Sequence, residues 1–154
     1  MKTGNLLFIL GLSLFLFSGC EKGIFNKEKT LIFGKFHGFC VGESCNEIYK
    51  LTSKNLYEDT KKKYITEENF KFEKLSKSKF EIAEHLLNEI PEELLDLENE
   101  TIGCPDCADQ GGYYIQFTDK EGTKTFKIDT FRDNVPMYLH GYIDQIDFVL
   151  NELK

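Results

Sequence analysis

Four cysteines in the body of the chain are the side chains best suited to chemistry. They form two closely spaced pairs, Cys40 with Cys45 and Cys104 with Cys107. Such pairs can form disulfides, carry out thiol–disulfide exchange, or supply four thiolates to a tetrahedral zinc ion. Which of these chemistries applies depends on the neighbouring residues and on the compartment in which the protein works.

The segment Cys104-Pro105-Asp106-Cys107 has the C-x-x-C spacing of thiol–disulfide oxidoreductases. In those enzymes the motif begins a helix, whose N-terminal dipole lowers the pKa of the reactive thiol. Here residues 108–112 predict a polar loop that leads into a strand. Asp106 and Asp109 add negative charge, which raises the pKa of a nearby thiol. The sequence thus disfavours redox catalysis, which stays open as an alternative.

The other side chains that could serve in catalysis are dispersed along the chain. His37 lies among the aromatic residues of an expected strand, His85 in an expected helix, and His140 beside the apolar stripe of the last helix. The sequence contains no zinc-peptidase helix motif, no nucleophile elbow and no glycine-rich phosphate loop. It therefore indicates no catalytic residue and no cofactor. A small envelope hydrolase with a dispersed site is an open alternative.

The first 20 residues indicate where the cysteines work. Lys2 precedes an apolar run of twelve residues, Leu6 to Phe17, and the small residues Ser18 and Gly19 stand directly before Cys20. A helix that spans the bilayer core takes about 20 apolar residues, so the run is short for a transmembrane helix. Its length is typical of the apolar region of a secretory signal.

The segment Leu16-Phe17-Ser18-Gly19-Cys20 resembles the lipobox of bacterial lipoproteins. One departure is Phe17, because that class usually has leucine three residues before the cysteine. The resemblance implies that residues 1–19 are a signal peptide that is removed, and that Cys20 becomes the lipid-carrying first residue, bearing palmitate or a similar chain. It also implies a location in the bacterial cell envelope, anchored to a membrane and facing the periplasm or the cell exterior.

An exported location changes the interpretation of the four cysteines. An even number of cysteines in a small domain outside the cytoplasm is first interpreted as disulfides. We therefore expect Cys40, Cys45, Cys104 and Cys107 to be disulfide-bonded, and we favour the local pairs because they need no long-range closure. The alternative is a zinc site formed by the same four cysteines, which disulfide formation opposes in an oxidising compartment.

The charge of the chain argues against two classes of partner. The net charge is −7, with 19 Lys and Arg against 26 Asp and Glu. An acidic chain repels the phosphates of nucleic acids, and it lacks the basic patch that binds anionic lipid. The run Lys61-Lys62-Lys63 lies beside Glu58 and Asp59 and is interpreted as a solvated turn. We expect no nucleic-acid partner, and we expect membrane contact through the N-terminal lipid.

The chain divides into three parts. Residues 1–19 are the expected signal peptide, and residues 20–29 are the expected lipidated cysteine with a polar tether. Residues 30–154 are long enough for a single domain. Eleven of the 14 Phe and all 7 Tyr of the chain follow residue 19, which is ample material for a hydrophobic core.

Two kinds of periodicity define the elements of this domain. Residues 30–41, 46–52 and 69–75 predict strands, because aromatic and β-branched residues dominate them or alternate with polar ones. Ser78 and Glu81 fit a capping box, which predicts a helix over residues 79–89. Residues 92–97 predict a short helical turn after Pro91, and residues 99–112 predict a polar loop.

The clearest patterns lie in the last third of the chain. Residues 113–118 and 124–130 alternate on either side of a turn and predict a β-hairpin. From Pro136 onwards an apolar stripe predicts the strongest helix, with Asp147 on its polar side. We expect this helix to pack on the sheet formed partly by this hairpin, facing Phe117 and Phe126 or their neighbours. The expected fold is α+β, with a mostly antiparallel sheet of four to six strands and two main helices on one face.

The function class expected from the sequence is a membrane-anchored, non-enzymatic domain outside the cytoplasm. Its expected partner is another envelope protein or a small ligand. The open alternatives are a zinc or thiol-redox protein that uses Cys40, Cys45, Cys104 and Cys107, and a small envelope hydrolase.

Overall fold

A computed structural model of the chain describes residues 28–38, 45–62 and 70–154. The expected signal peptide, Cys20 and most of the expected tether lie outside the described residues. Cys40 also lies outside them.

Within the described residues, seven strands form one mixed sheet and confirm the α+β class. They are β1 Thr30–Phe36, β2 Asn46–Thr52, β3 Leu56–Asp59, β4 Phe72–Lys74, β5 Glu100–Ile102, β6 Gly112–Thr118 and β7 Thr123–Asp129. The strand order is β4-β3-β2-β1-β6-β7-β5. Every pair is antiparallel except β5 with β7, which is parallel.

The expectation of four to six strands is too low. The five predicted strands leave out β3 and β5, and β5 lies inside the segment expected to be a polar loop. Its sequence is Glu-Thr-Ile, and only Ile102 is apolar and buried. Three residues of this kind show no alternation that would indicate a strand. Pairing with β7, rather than local preference, makes this segment a strand.

Three α-helices occur within the described residues: α1 Lys77–Ala83, α2 Glu92–Leu95 and α3 Met137–Glu152. A 3₁₀ turn, Glu84–Leu87, continues α1, so these two elements together cover most of the expected helix. The expected capping box is wrong in its position. Ser76 is the N-cap, and its hydroxyl oxygen accepts a hydrogen bond from the backbone N–H of Lys79. Ser78 already lies inside the helix.

All three helices pack on one face of the sheet, which we call the inner face. Ile146 of α3 and Phe126 of β7 are fully buried in the same core cluster, and Phe117 belongs to it as well. The expected packing of the last helix on the sheet is therefore observed. At 16 residues α3 is the longest helix described. No helix of the described residues combines the length and apolar character needed to cross a membrane.

The opposite face of the sheet, which we call the outer face, changes character from β2 to β5. Near β1 and β2 it carries a small apolar cluster of Phe36, Ile48 and Tyr114. Towards β7 and β5 the side chains become polar. Gln116 of β6 lies opposite Thr125 of β7, whose neighbour on that face, Lys127, lies opposite Thr101 of β5.

Candidate functional site

A loop of residues 103–111, which we call the disulfide loop, connects β5 to β6. Cys104 and Cys107 form a disulfide in it, and their Cα atoms are 5.6 Å apart, within the usual range for a disulfide. Both cysteines are exposed. The expected disulfide between this pair is confirmed. A turn over residues 105–108 follows, and the chain enters β6 rather than a helix.

Cys45 is also disulfide-bonded. Its partner lies outside the described residues, as does Cys40, so the pairing of Cys40 with Cys45 stays a prediction. A disulfide-bonded cysteine offers no thiolate to a zinc ion. Among the described residues, no group of three or more His, Cys, Asp or Glu side chains is placed to hold a metal ion.

Asp129, the last residue of β7, holds the disulfide loop in place. Its carboxylate is buried, with only 1% of the residue exposed. One carboxylate oxygen, Oδ2, accepts hydrogen bonds from the Cys104 backbone N–H and from the Asn134 side-chain amide, each at 2.8 Å. The other, Oδ1, accepts from the Phe131 backbone N–H at 2.9 Å and from the Gln110 amide at 3.5 Å. The sequence reasoning did not single out this residue.

Two opposing effects set the pKa of Asp129. Burial acts to raise it, because the charged form loses water. The hydrogen bonds from Phe131, Asn134, Cys104 and Gln110 favour the charged form more strongly and lower the pKa from 3.8 to about 2. The carboxylate is therefore ionised at neutral pH, and it joins the disulfide loop to the segment that precedes α3.

Further hydrogen bonds fix the disulfide loop without the help of its disulfide. The Gln110 amide donates to the Cys104 carbonyl oxygen at 2.8 Å, and the Gln110 side-chain oxygen accepts from the Ala108 N–H at 2.7 Å. Asp106 and Gly111 bond twice: the Asp106 N–H donates to the Gly111 carbonyl, and the Gly111 N–H donates to the Asp106 carboxylate. The disulfide thus reinforces a loop that other contacts already shape.

Removing this disulfide is therefore expected to weaken the domain without unfolding it. The double variant Cys104→Ser, Cys107→Ser should lose roughly 2 kcal/mol of unfolding free energy, the chain-entropy value for so short a loop. Urea denaturation of the variant and the wild type measures this difference. A variant that fails to fold would show that the disulfide, rather than the Asp129 contacts, holds the loop.

The disulfide loop forms one wall of a cleft of about 260 Å³. The residues that line this cleft are Phe36, His37, Gly38, Thr101, Pro105, Asp106, Cys107 and Lys127. The structure thus brings His37 and Cys107 to one place, although they are far apart in sequence. The His37 ring nitrogen Nδ1 hydrogen-bonds the Cys45 carbonyl oxygen at 3.1 Å. The Lys127 ammonium lies 5.9 Å from the centre of the Phe36 ring.

A second concavity of about 480 Å³ continues from this cleft along the outer face. It is lined by Asn99, Glu100, Thr101, Gln116, Thr123, Thr125 and Lys127. Because Thr101 and Lys127 line both, the two form one continuous depression over β5, β6 and β7. We call it the outer-face groove. None of its residues except His37, Pro105, Asp106 and Cys107 was among the candidates considered from the sequence.

Several polar side chains in the outer-face groove have no partner within the described part of the chain. The side chains of Thr101, Gln116 and Thr125 make no hydrogen bond there. Asn99 uses its side-chain oxygen to accept the Thr125 backbone N–H at 2.7 Å, which leaves its amide N–H groups free. Thr123 shares a hydroxyl bond with Thr118. The groove therefore offers donors and acceptors to a ligand.

The other two histidines are not part of this site. His85 lies in the 3₁₀ turn after α1, on the inner-face side. His140 lies on α3 and bonds the carbonyl oxygens of Val135 and Arg132. The structure therefore does not bring His37, His85 and His140 together.

Asp147 is the one residue of α3 whose expected role is wrong. The sequence places it on the polar side of the helix, whereas the structure places it against the sheet. The Tyr113 hydroxyl donates to one Asp147 oxygen at 2.8 Å, and the Lys35 ammonium lies 2.7 Å from the other. Burial and this hydrogen bond raise the pKa of Tyr113. The cluster joins α3 to β1 and β6, which is a structural role.

The chain matches no protein-family model and no curated protein. Its site is therefore assigned from its own geometry.

Proposed function

We propose that this protein is a lipid-anchored domain of the bacterial cell envelope that binds a ligand in the outer-face groove without catalysing a reaction. Its anchor would be the lipid on Cys20, and residues 1–19 would be removed. The anchor rests on the resemblance of residues 16–20 to a lipobox.

The disulfide of the surface loop supports the proposed location. Cys104 and Cys107 are both exposed, so in a cytosol their disulfide would be accessible to thiol reductants. Disulfides of this kind persist in oxidising compartments and are rare in the cytosol. Cys45 is a third disulfide-bonded cysteine.

The outer-face groove is the observation that carries the proposed binding function. It is a concave surface on the sheet, and the side chains of Thr101, Gln116 and Thr125 lack hydrogen-bond partners in the described part of the chain. Polar groups placed in a preformed concavity are what fixes the orientation of a small ligand. A binding role suits the groove better than catalysis, since no base among the described lining residues lies in hydrogen-bond contact with a nucleophile.

A thiol-redox role is the second candidate, because Cys107 lines a cleft that also holds His37. It is less well supported, for two reasons. The chain enters strand β6 after Cys107, so no helix dipole lowers a thiol pKa. The Asp129 carboxylate accepts the Cys104 backbone N–H, and Asp106 lies two residues along the chain, so negative charge near Cys104 disfavours a thiolate.

Replacing Cys20 tests the proposed anchor. The wild-type chain, expressed in bacteria with radioactive palmitate, is expected to carry the label and to sediment with membranes. Cys20→Ser should carry no label and should leave the membrane fraction, because no other cysteine follows a small-residue pair at the end of the apolar run. Cys104→Ser is the matched control and should keep both label and sedimentation. A processed, acylated Cys20→Ser chain would overturn the anchor.

A further inference from the structure

We propose that two copies of this chain pair through the solvent-facing side of α3. The residues that form this surface are Met137, Gly141, Asp144 and Phe148, and we call them the outward stripe. This pairing goes beyond ligand binding in the outer-face groove and does not depend on it, because α3 packs on the opposite face of the sheet. Exposure, spacing and charge each contribute an observation.

The outward stripe carries large apolar side chains that remain in water. In the described part of the chain, the exposed large apolar residues are Phe131, Met137 and Phe148, at 57%, 85% and 58% exposure. All three lie in α3 or in the short segment before it. Met137 and Phe148 are on the same side of the helix, because the eleven residues between their positions make about three turns of 3.6 residues. Exposed apolar side chains gathered on one side mark an interaction surface.

The spacing of the outward stripe is the same in both directions along the helix. The intervals between its four members are four, three and four residues. Two antiparallel copies of α3, related by a two-fold axis at the middle of the stripe, therefore place Met137 against the partner's Phe148. The same register places Gly141 against the partner's Asp144. A self-complementary surface of this kind is what a two-fold dimer requires.

Gly141 allows the two helices to approach closely near the axis. A Cβ added to Gly141 would meet no atom within 4 Å, so the space beyond it is open. Glycine in the interior of a helix is destabilising relative to alanine, and no close contact in the described part of the chain requires it here. Packed helix axes lie about 8–10 Å apart, depending on the side chains at the contact. A glycine at the crossing favours the shorter distance.

The charges of the outward stripe suit a second copy of the chain. The whole chain has a net charge of −7, so two copies repel each other at long range. The one charged member of the stripe, Asp144, forms an ion pair with Arg132, which leaves the stripe neutral. A membrane surface fits less well, because an interfacial helix carries many Lys and Arg residues, whereas α3 contains neither.

The size of the outward stripe limits the strength of the pair. α3 has 16 residues, so one side of it measures roughly 24 Å by 10 Å. A standard stable interface buries about 800 Å² on each partner, which one helix side of this size does not supply. We expect a weak pair that forms where the chain is concentrated, as on a membrane that holds the proposed anchor.

Photo-cross-linking of the full chain, overproduced in living bacteria, tests the pairing. Phe148 is replaced by p-benzoylphenylalanine, which keeps an aromatic ring and reacts with nearby C–H bonds on irradiation. We expect a product of two chains, with the cross-link at or next to Met137 when the product is analysed by mass spectrometry. The same replacement at Lys120, which is exposed in the turn between β6 and β7, should give no such product.

Two substitutions of Gly141 separate pairing from folding. Gly141→Glu fills the space near the axis and places a carboxylate opposite the partner's Asp144. It should lower the cross-linked fraction about tenfold, which corresponds to about 1.4 kcal/mol. Gly141→Ala is the matched control and should keep the cross-link. Both variants replace glycine by a better helix former, so neither should unfold at a lower temperature than the wild type.

Three results would contradict the pairing. The absence of a two-chain product would overturn self-association through α3. A two-chain product that Gly141→Glu leaves unchanged, or whose cross-link lies away from α3, would overturn the outward stripe as the surface. Cross-links only to lipid or to a different protein would show that the stripe has another occupant.

Discussion

Replacing Asp129 with alanine is expected to destabilise the domain by at least about 3 kcal/mol. The change removes the acceptor of three hydrogen bonds of 2.9 Å or less, from Cys104, Phe131 and Asn134. These hydrogen bonds are part-buried, and a hydrogen bond to a charged group contributes about 1.5–3 kcal/mol. Urea denaturation measures the loss. It should exceed the loss caused by removing the Cys104–Cys107 disulfide, because Asp129 also holds the segment before α3.

The matched control is Asp133→Ala. Asp133 is an exposed aspartate four residues along the chain, and its substitution should change the unfolding free energy little. The unfolding free energy of Asp129→Asn should lie between those of the two alanine variants. The asparagine amide keeps one acceptor oxygen, but its NH₂ group is a donor and cannot accept the remaining N–H groups. Equal stability of the Asp129→Ala and Asp133→Ala variants would mean that the disulfide loop does not depend on the buried carboxylate.

The pH dependence of stability gives Asp129 a second signature. Its pKa is lowered from 3.8 to about 2 in the folded chain, so the unfolded chain binds the proton more readily. The stability due to the charged form is therefore present in full above the unfolded pKa and is lost as the pH falls from near 3.8 towards about 2. The Asp129→Asn variant should lose this part of the acid dependence, which denaturation at several acidic pH values would show.

The sequence predicts those elements whose residues carry their own periodicity. The observed strand β2 has the predicted limits, Asn46–Thr52, and the hairpin of β6 and β7 follows its alternation closely. The stripe of α3 is long enough to define both the helix and its buried side. In contrast, β5 exists because a distant strand pairs with it, and Ser76 caps α1 in place of the equally suitable Ser78. Such choices depend on tertiary contacts.

The candidate site also combines features that the sequence predicts with features that depend on tertiary contacts. The disulfide between Cys104 and Cys107 follows from spacing and from the expected compartment. The burial of Asp129 does not, because the disulfide loop and residues 131–134 fold over a strand position that alternation would leave in water. The outer-face groove needs Thr101 beside Lys127, and only the parallel pairing of β5 with β7 brings these two residues together. The residues of the groove carry no motif that sequence reasoning could detect.

Replacing Ile146 with alanine is expected to cost about 2–5 kcal/mol, the range for truncating a fully buried isoleucine. Ile146 has no exposed surface and lies in the core cluster that also contains Phe117 and Phe126. The helix α3 covers much of the inner face, so a cavity at its centre weakens contacts to several strands. Thermal and urea denaturation of the variant measure the loss, which is a large part of the stability of a small domain.

A control on the same helix separates core packing from helix propensity. Glu152→Ala changes an exposed residue of α3 and should alter stability by less than about 0.5 kcal/mol. The sequence alone suggests that Asp147→Ala leaves stability unchanged. The structure predicts a loss of stability instead, because Tyr113 and Lys35 would lose their partner. Its expected cost is about 1–3 kcal/mol. Equal and small effects of Ile146→Ala and Glu152→Ala would mean that α3 does not pack on the sheet. Its apolar stripe would then be free to bind a partner or a membrane surface.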